Sequence, residues 1–399
     1  MMEYNTTYSD YDYDDLASYG NDVRYSDASF DEPGKDRLRL LLMGMRRSGK
    51  SSIEKVVFHK LPAGETLHLQ STIRIEKDDI IRSYIEFQIW DVPGQIDFLD
   101  PAFDSDMIFA DVGALVFVID ALDEYFEALQ RLHYTLVRAY RVNPGINFEV
   151  FIHKVDVLSD ESKMDILQEI EQRVRGDLDD ENLTEIPLNF HLTSIYDHSI
   201  FEAFSKVIQK LIPQLPTLEN LLNMLCLNSC VEKSYLFDAI SKIFIATDSS
   251  PFDSSSYGIC SDMIDVVIDV VDTFWTGALD DSDQSQDQRS VSAIDYSTHD
   301  GNSVSQASKK SNELFAVIKL QNNTVLYMRE VNKYLALVCL MRNENYKQGL
   351  FDYNFQHFKE SVSEILDANS TVSKRAVLVH SEVQSTDEEA NGNKEQLKK

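Results

Sequence analysis

The sequence is short of cysteine, of positive charge and of long apolar runs, and each shortage removes a class of protein. Four cysteines in 399 residues, Cys226, Cys230, Cys260 and Cys339, with no CxxC pair, are too few to staple a chain of this size. They read as reduced thiols of a cytosolic or nuclear protein. Lys and Arg number 37 against 67 Asp and Glu, a formal net charge of -30. Binding of nucleic acid or anionic lipid needs clustered cations, so neither is expected of this surface. No apolar run approaches the ~18 residues of a membrane span. The acidic N-terminus begins Met-Met, not Met-Gly, and the end "NKEQLKK" has no prenylatable cysteine. The expectation is a chain with neither leader nor membrane anchor of its own. His59, His68, His133, His191 and His198 are scattered without metal-ligand spacing, and the acidic run Asp262 to Asp272 alternates with apolar residues as the wet face of a helix.

What is there is enough apolar material for a sizeable core, 43% of the chain, and length for two or three domains. Residues 1–36 are polar and acidic and predict a disordered tail. From 38 onward short apolar runs alternate with helical patterns. "LRLLLMG", "YIEFQIWD" (84–91), "GALVFVID" (113–120), "INFEVFIHK" (146–154) and "IPLNFHLTS" read as strands. Between them lie helices: "SSIEKVVFHKL", a stretch with Phe126, Leu129, Leu132 and Leu136 on one face, one capped by Ser159 or Asp160, and "DHSIFEAFSKVIQKLI". This alternation predicts an α/β domain over 37–214 with a mainly parallel sheet. A second, α+β module is expected over 215–368. Its helical pattern carries Leu218, Leu221, Leu222 and Leu225; "KSYLFDAISKIFIATDS" reads as two short strands or one bent one. A further helix places Met263, Ile264, Val267, Ile268 and Val271 on one face. A polar, flexible insertion is expected at about 276–312, then three strands, a final helix, and a disordered tail from 369.

Gly44-x4-Gly49-Lys50-Ser51 follows a strand and opens a helix, the context in which that spacing means a phosphate-binding loop. Backbone N–H groups of Arg46, Arg47, Ser48, Gly49, Ser51 and Ser52 would converge on phosphate oxygens, with Lys50 bridging the terminal phosphates and the Ser51 hydroxyl binding Mg²⁺. The base is named by "HKVD", His153 to Asp156. Asp156 can accept the N1–H and 2-amino donors of guanine, while adenine would leave it unpaired at a cost of about 2–5 kcal/mol. The Lys154 stem would cover the ring, and His153 would tie its loop to the phosphate loop. Thr193 to Ile195, with Ser194 and Ile195 as candidates, would contact the guanine oxygen through the backbone. In "WDVPGQ", Asp91 would hold Mg²⁺ through water, Gly94 would donate its N–H to a γ-phosphate and move when that phosphate leaves, and Gln95 would orient the attacking water. Thr72 is the candidate γ-phosphate and Mg²⁺ sensor, with Ser71 its competitor.

In order and spacing these motifs form the small-GTPase signature, and the chain resembles a Rag GTPase of the C/D type. "RRSGKSSIEKVVFHKL", "FQIWDVPGQIDF", "FEVFIHKVD", "LTSIYDHSIFEAFSKVIQKLIPQLPTLENLLN" and "IATDSSPFD" carry the resemblance, which covers roughly 38–275 and 313–367. It implies a Ras-like P-loop GTPase domain with GTP, GDP and Mg²⁺ as ligands, followed by a roadblock/longin-like dimerisation domain. It also implies an obligate heterodimer with an A/B-type Rag subunit and recruitment to the cytoplasmic face of lysosomes by a Ragulator-like scaffold. Further implications are capture of raptor of target-of-rapamycin complex 1 in response to amino acids, an active GDP form, and a folliculin-type activator.

Arg46 stands where Ras-like proteins carry glycine, as it does in the C/D type. It would either steady the γ-phosphate charge in cis or exclude an activator's arginine finger. The second reading is favoured here, and with it slow unaided turnover. The competing functional classes are a P-loop ATPase or kinase, opposed by HKVD, and an interaction platform without need of nucleotide, opposed by intact Lys50, Ser51, Asp91 and Gln95. A nucleotide-stabilised scaffold with little hydrolysis, and an Arf-like membrane GTPase without its amphipathic helix, complete the alternatives.

Overall fold

The run LRLLLMG forms strand β1 (Leu38–Gly44), and its neighbours explain why it is apolar throughout. Leu40 and Leu42 point to one face of the sheet and Leu41 and Met43 to the other, and all four are buried. The computed structural model describes residues 38–80, 87–94, 105–181, 183, 185–276, 296–297, 303–310, 313–320, 322–344 and 347–366. The expected tails at 1–36 and 369–399 lie outside them. The described residues fall within one compact unit.

Around β1 the first sheet is built from β2 (Glu76–Ile80), β3 (Phe87–Asp91), β4 (Val112–Asp120), β5 (Asn147–His153) and β6 (Leu188–Thr193), in the order β2-β3-β1-β4-β5-β6. Only β2 runs antiparallel to its neighbour; the other pairs are parallel. The first residues of "YIEFQIWD" lie outside the described residues, and the strand is seen from Phe87.

Helices α1 (Lys50–His59) and α5 (Ser199–Gln209) cover one face, with α2 (Ser105–Phe109), α3 (Phe126–Val142) and α4 (Asp160–Asp180) completing the unit. Ile53, Val57, Phe204 and Val207 pack with Leu40, Leu42 and Phe151 on the first face. Leu129, Leu132, Leu136, Ile170 and Val174 pack with Leu41, Met43 and Phe117 on the second. Each such side chain contributes about 1.5–3 kcal/mol by leaving water. Phe126, assigned from spacing to the same stripe, is 61% exposed. It sits in the first turn of α3, ahead of the point where the helix meets the sheet, and Ala128 takes the inward position. Ser159 caps α4 by accepting from Ser162 N at 3.2 Å.

The first core continues into the second half of the chain. Leu218, Leu222 and Leu225 of α6 (Leu215–Ser229) join it, with Tyr235 and Phe237 of β7 (Lys233–Asp238), Phe244 of β8 (Phe244–Thr247), and Met263, Ile264 and Val267 of α7 (Ser254–Thr276). β7 and β8 are two antiparallel strands, which decides between the two readings of that segment. The second sheet runs β8-β7-β13-β12-β11-β10-β9, antiparallel throughout. Its remaining strands are β9 (Tyr296–Ser297), β10 (Ser303–Lys310), β11 (Glu313–Lys319), β12 (Thr324–Glu330) and β13 (Leu335–Arg342), and helix α8 spans 348–366.

Within the segment expected as a flexible insertion to about 312, residues 303–310 form a strand. There SVSQASKK pairs with β11, from Ser303 opposite Lys319 to Lys310 opposite Glu313. The edge of β11 supplies the ladder hydrogen bonds, so a polar stretch with little to bury still forms a strand. All four cysteines are free thiols. Among the described residues no helix is long and apolar enough to cross a membrane.

Candidate functional site

The C-terminal ends of the parallel strands β1, β4, β5 and β6 deliver their loops to one cavity of about 450 Å³. Among the residues of the sequence motifs, Arg46, Arg47, Gly49, Lys50, Ser51, Ser52, Thr72 and Gly94 line it at one end. His153, Lys154, Asp156, Ser194 and Ile195 line it at the other. Gln95 lies outside the described residues.

At the first end the loop 44–49 passes into α1, whose N-terminal amides open toward the cavity. The Lys50 amine donates to the carbonyls of Gly44 at 3.2 Å and Met45 at 2.9 Å, and its burial lowers its pKa to about 8. Gly49 has φ 107, and a Cβ there would stand 2.7 Å from Cδ2 of the His153 ring beneath it. Gly94 lies against the same loop: a Cβ would fall 2.3 Å from Arg46 N. A side chain at either position would push the phosphate-loop backbone away from its neighbour.

Ser51, Thr72 and Asp91 converge. Ser51 Oγ and Thr72 Oγ1 are 2.9 Å apart, Thr72 donates to Asp91 Oδ2 at 3.2 Å, and Ser51 donates to the same oxygen. Asp91 is fully buried; desolvation raises its pKa, opposed by the Ser51 hydrogen bond and the Lys50 charge. Its second oxygen, Oδ1, is buried without a hydrogen-bond partner. Two hydroxyls and a carboxylate with an unsatisfied oxygen are the donor set of a hard divalent cation, so these residues fit one. Ser71, the competitor of Thr72, also lines the cavity but accepts from Arg46 Nη2 at 3.3 Å and does not join the Asp91 centre.

At the other end Asp156, in a short 3-10 turn (Val155–Val157), accepts from Ser194 Oγ at 2.7 Å. The Ser194 N–H donates to Ser199 Oγ at 2.9 Å, so its backbone braces the start of α5. His153 is buried and bonded through Nδ1 to Thr193 Oγ1 at 3.0 Å; burial, with the Lys154 charge, lowers its pKa to about 4. The hydrogen bond tying this loop to the phosphate loop comes from Lys154, not His153: Lys154 Nζ donates to Arg47 O at 2.8 Å and to Asp120 Oδ2 at 2.5 Å. Asp120 went unnoticed in the sequence; its place at the end of a parallel strand was the signal available. The segment after α1, with Thr66, Leu67, Leu69 and Gln70, also lines the cavity and carries no motif that marks it.

The arrangement is a pocket that joins amides, a lysine and a cation-binding donor set with a carboxylate suited to a purine edge. The family model described as Gtr1/RagA G protein conserved region matches residues 39–264. Ras-related GTP-binding protein C of Mus musculus is 56% identical over 335 residues, 84% of this chain and 78% of that protein. GTP-binding protein gtr2 of Schizosaccharomyces pombe is 52% identical over 328 residues, 82% of this chain and 97% of its own. The chain belongs to the Rag family of GTP-binding proteins, in its C/D branch. The other branch is more distant from this Rag chain: GTP-binding protein gtr1 of Schizosaccharomyces pombe is 29% identical over 218 residues, 54% of this chain and 69% of that protein. The matched region contains the phosphate loop, Thr72, Asp91, Gly94 and the 153–156 and 193–195 segments of this Rag protein together.

Proposed function

We propose that this Rag protein is a guanine-nucleotide switch that hydrolyses GTP slowly unless an activator engages it. The observation that carries the proposal is the joint presentation, on one cavity, of the Lys50 loop and of Asp156 held by Ser194. Lys50 exchanges the carbonyls of Gly44 and Met45 for terminal phosphate oxygens, and its burial keeps that charge strong. Ser51, Thr72 and Asp91 would hold Mg²⁺, Asp91 through water. A cation held there would supply charge neutralisation for the terminal phosphates. Asp156 accepts from the guanine edge while the Lys154 stem lies along the ring. Gly94 presents its N–H to the γ-phosphate, and Gln95 orients the attacking water. Release of the γ-phosphate frees Gly94 and Thr72 together, which makes the output a conformation.

Beyond the site, the chain acts as the C/D subunit of a heterodimer with an A/B-type Rag protein, joined through a roadblock-like domain at 215–368. What supports this is its 56% identity to a C-type relative against 29% to a Gtr1-type one. The dimer works in the cytoplasm and on the cytoplasmic face of lysosomes through a Ragulator-like scaffold. There it captures raptor of target-of-rapamycin complex 1 when this subunit holds GDP, and a folliculin-type protein activates its hydrolysis. The test is a pulldown with the A/B partner co-expressed and this subunit loaded with GDP or a non-hydrolysable GTP analogue. Stronger raptor capture by the GDP form is expected; stronger capture by the GTP form reverses the polarity.

A further inference from the structure

We propose that Arg46 is a positioning residue that straps the Thr72-bearing segment to the phosphate loop and so slows nucleotide release. The inference rests on the guanine-nucleotide reading of the site and adds a regulatory role to a side chain that reading leaves idle.

Residue 46 touches both segments that face the terminal-phosphate end of the cavity. Its guanidinium donates from Nη2 to Ser71 Oγ at 3.3 Å, one residue from Thr72. Its backbone N lies where a Cβ on Gly94 would clash, at 2.3 Å. Thr72 is meanwhile anchored to Ser51 and Asp91. The segment carrying Ser71 and Thr72 is therefore held at two points, the Asp91 centre and Arg46. With Leu69 and Gln70 it forms a wall of the cavity. Arg46 and Ser71 are exposed, so the core does not depend on the strap. A long cationic side chain can donate to a hydroxyl at this reach, which a glycine at the same position cannot do. The side chain is thus engaged within its own chain.

The test is release of N-methylanthraniloyl-GDP from the full-length chain, chased with excess GDP, for the unsubstituted protein, Arg46→Ala, Ser71→Ala, the double variant and Arg46→Lys. A charge-assisted hydrogen bond at an exposed site predicts release about fivefold faster in each Ala variant. The double variant is expected to be no faster than either, because both remove the same contact. Arg46→Lys restores most of the slow release. Melting temperatures stay level across the set. Unchanged release in Arg46→Ala, or additive effects in the double variant, overturns the strap. If the unsubstituted chain takes up no labelled GDP while remaining folded, the nucleotide reading itself fails and the strap falls with it. Normal uptake with unchanged release sinks the strap alone.

Discussion

Ser51 Oγ and Thr72 Oγ1 stand 2.9 Å apart and meet on a single oxygen of Asp91. Three residues from α1, the segment before β2, and the end of β3 thereby share one centre, although 21 and 40 positions separate Ser51 from its two partners. The other Asp91 oxygen is buried without a partner. A divalent cation would satisfy it. Chelation with EDTA should speed guanine-nucleotide release by at least about tenfold, and Ser51→Ala should release at the chelated rate with or without Mg²⁺. Stopped-flow release with and without the metal checks this; a rate indifferent to EDTA in the unsubstituted chain contradicts it.

Lys50 gives nucleotide binding a pH dependence. In the free chain burial lowers its pKa to about 8, and phosphate contact raises it again, so binding takes up a proton above that value. Affinity is full below pH 8 and declines as pH rises through it, by about fourfold between pH 7 and pH 8.5. Lys50→Arg, which stays charged, should flatten that slope while binding more weakly overall. Equilibrium fluorescence titrations at the two pH values suffice, and equal affinities at both would rule the account out.

His153 links pH to stability with the opposite sense. Its folded pKa is lowered to about 4 by burial and the Lys154 charge, whereas the unfolded chain protonates near the ordinary histidine value. The unfolded state binds the extra proton as pH falls, so the stability from neutral His153 is present above about 6.5 and is lost on the way down toward 4. The loss at pH 5.5 relative to pH 7.5 is about 1 kcal/mol. Comparing denaturant unfolding of the unsubstituted chain and His153→Asn at the two pH values isolates the effect, since Asn cannot titrate. An identical pH dependence in both proteins would remove His153 from it.

Gly94 has no room for a side chain: the nearest atom to a Cβ is the Arg46 amide nitrogen. In Gly94→Ala either this segment or the phosphate loop must shift. GTP affinity should fall about tenfold, an overpacking cost of about 1–3 kcal/mol, and GDP affinity by less. Calorimetry with both nucleotides reads the split. Equal losses for GTP and GDP would mean that residue 94 does not discriminate the γ-phosphate.

The parts of the fold that were legible from sequence are those where one pattern sets one structure. β1, β4 and β5 are buried on both faces, so their apolar runs are uninterrupted, and the glycine spacing after β1 has one common structural context. Legibility failed where the neighbour decides. β10 is polar and is a strand because β11 offers an edge. Phe126 fits the helical period but lies before the helix reaches the sheet. In the site, motif residues announced themselves by type and spacing. The choice between Ser71 and Thr72 did not, since two adjacent hydroxyls look alike in sequence and only the positions of Asp91 and Arg46 separate them. Asp120 escaped notice because its work, pairing with Lys154, depends on a contact across 34 residues.

The central claim is that this chain binds guanine nucleotide through Asp156, and it is tested most directly by identifying what the pocket selects. The purified full-length chain is loaded with N-methylanthraniloyl-GTP and challenged with GTP, ATP and xanthosine triphosphate, alongside Asp156→Asn. The account predicts displacement by GTP at concentrations about thirtyfold or more below those of ATP, from a penalty of about 2–5 kcal/mol for an unpaired carboxylate. It also predicts that Asp156→Asn transfers the preference to xanthosine triphosphate, whose 2-oxo group takes the new amide donor. Displacement by ATP at the same concentration as GTP, or unaltered guanine preference in Asp156→Asn, would contradict it.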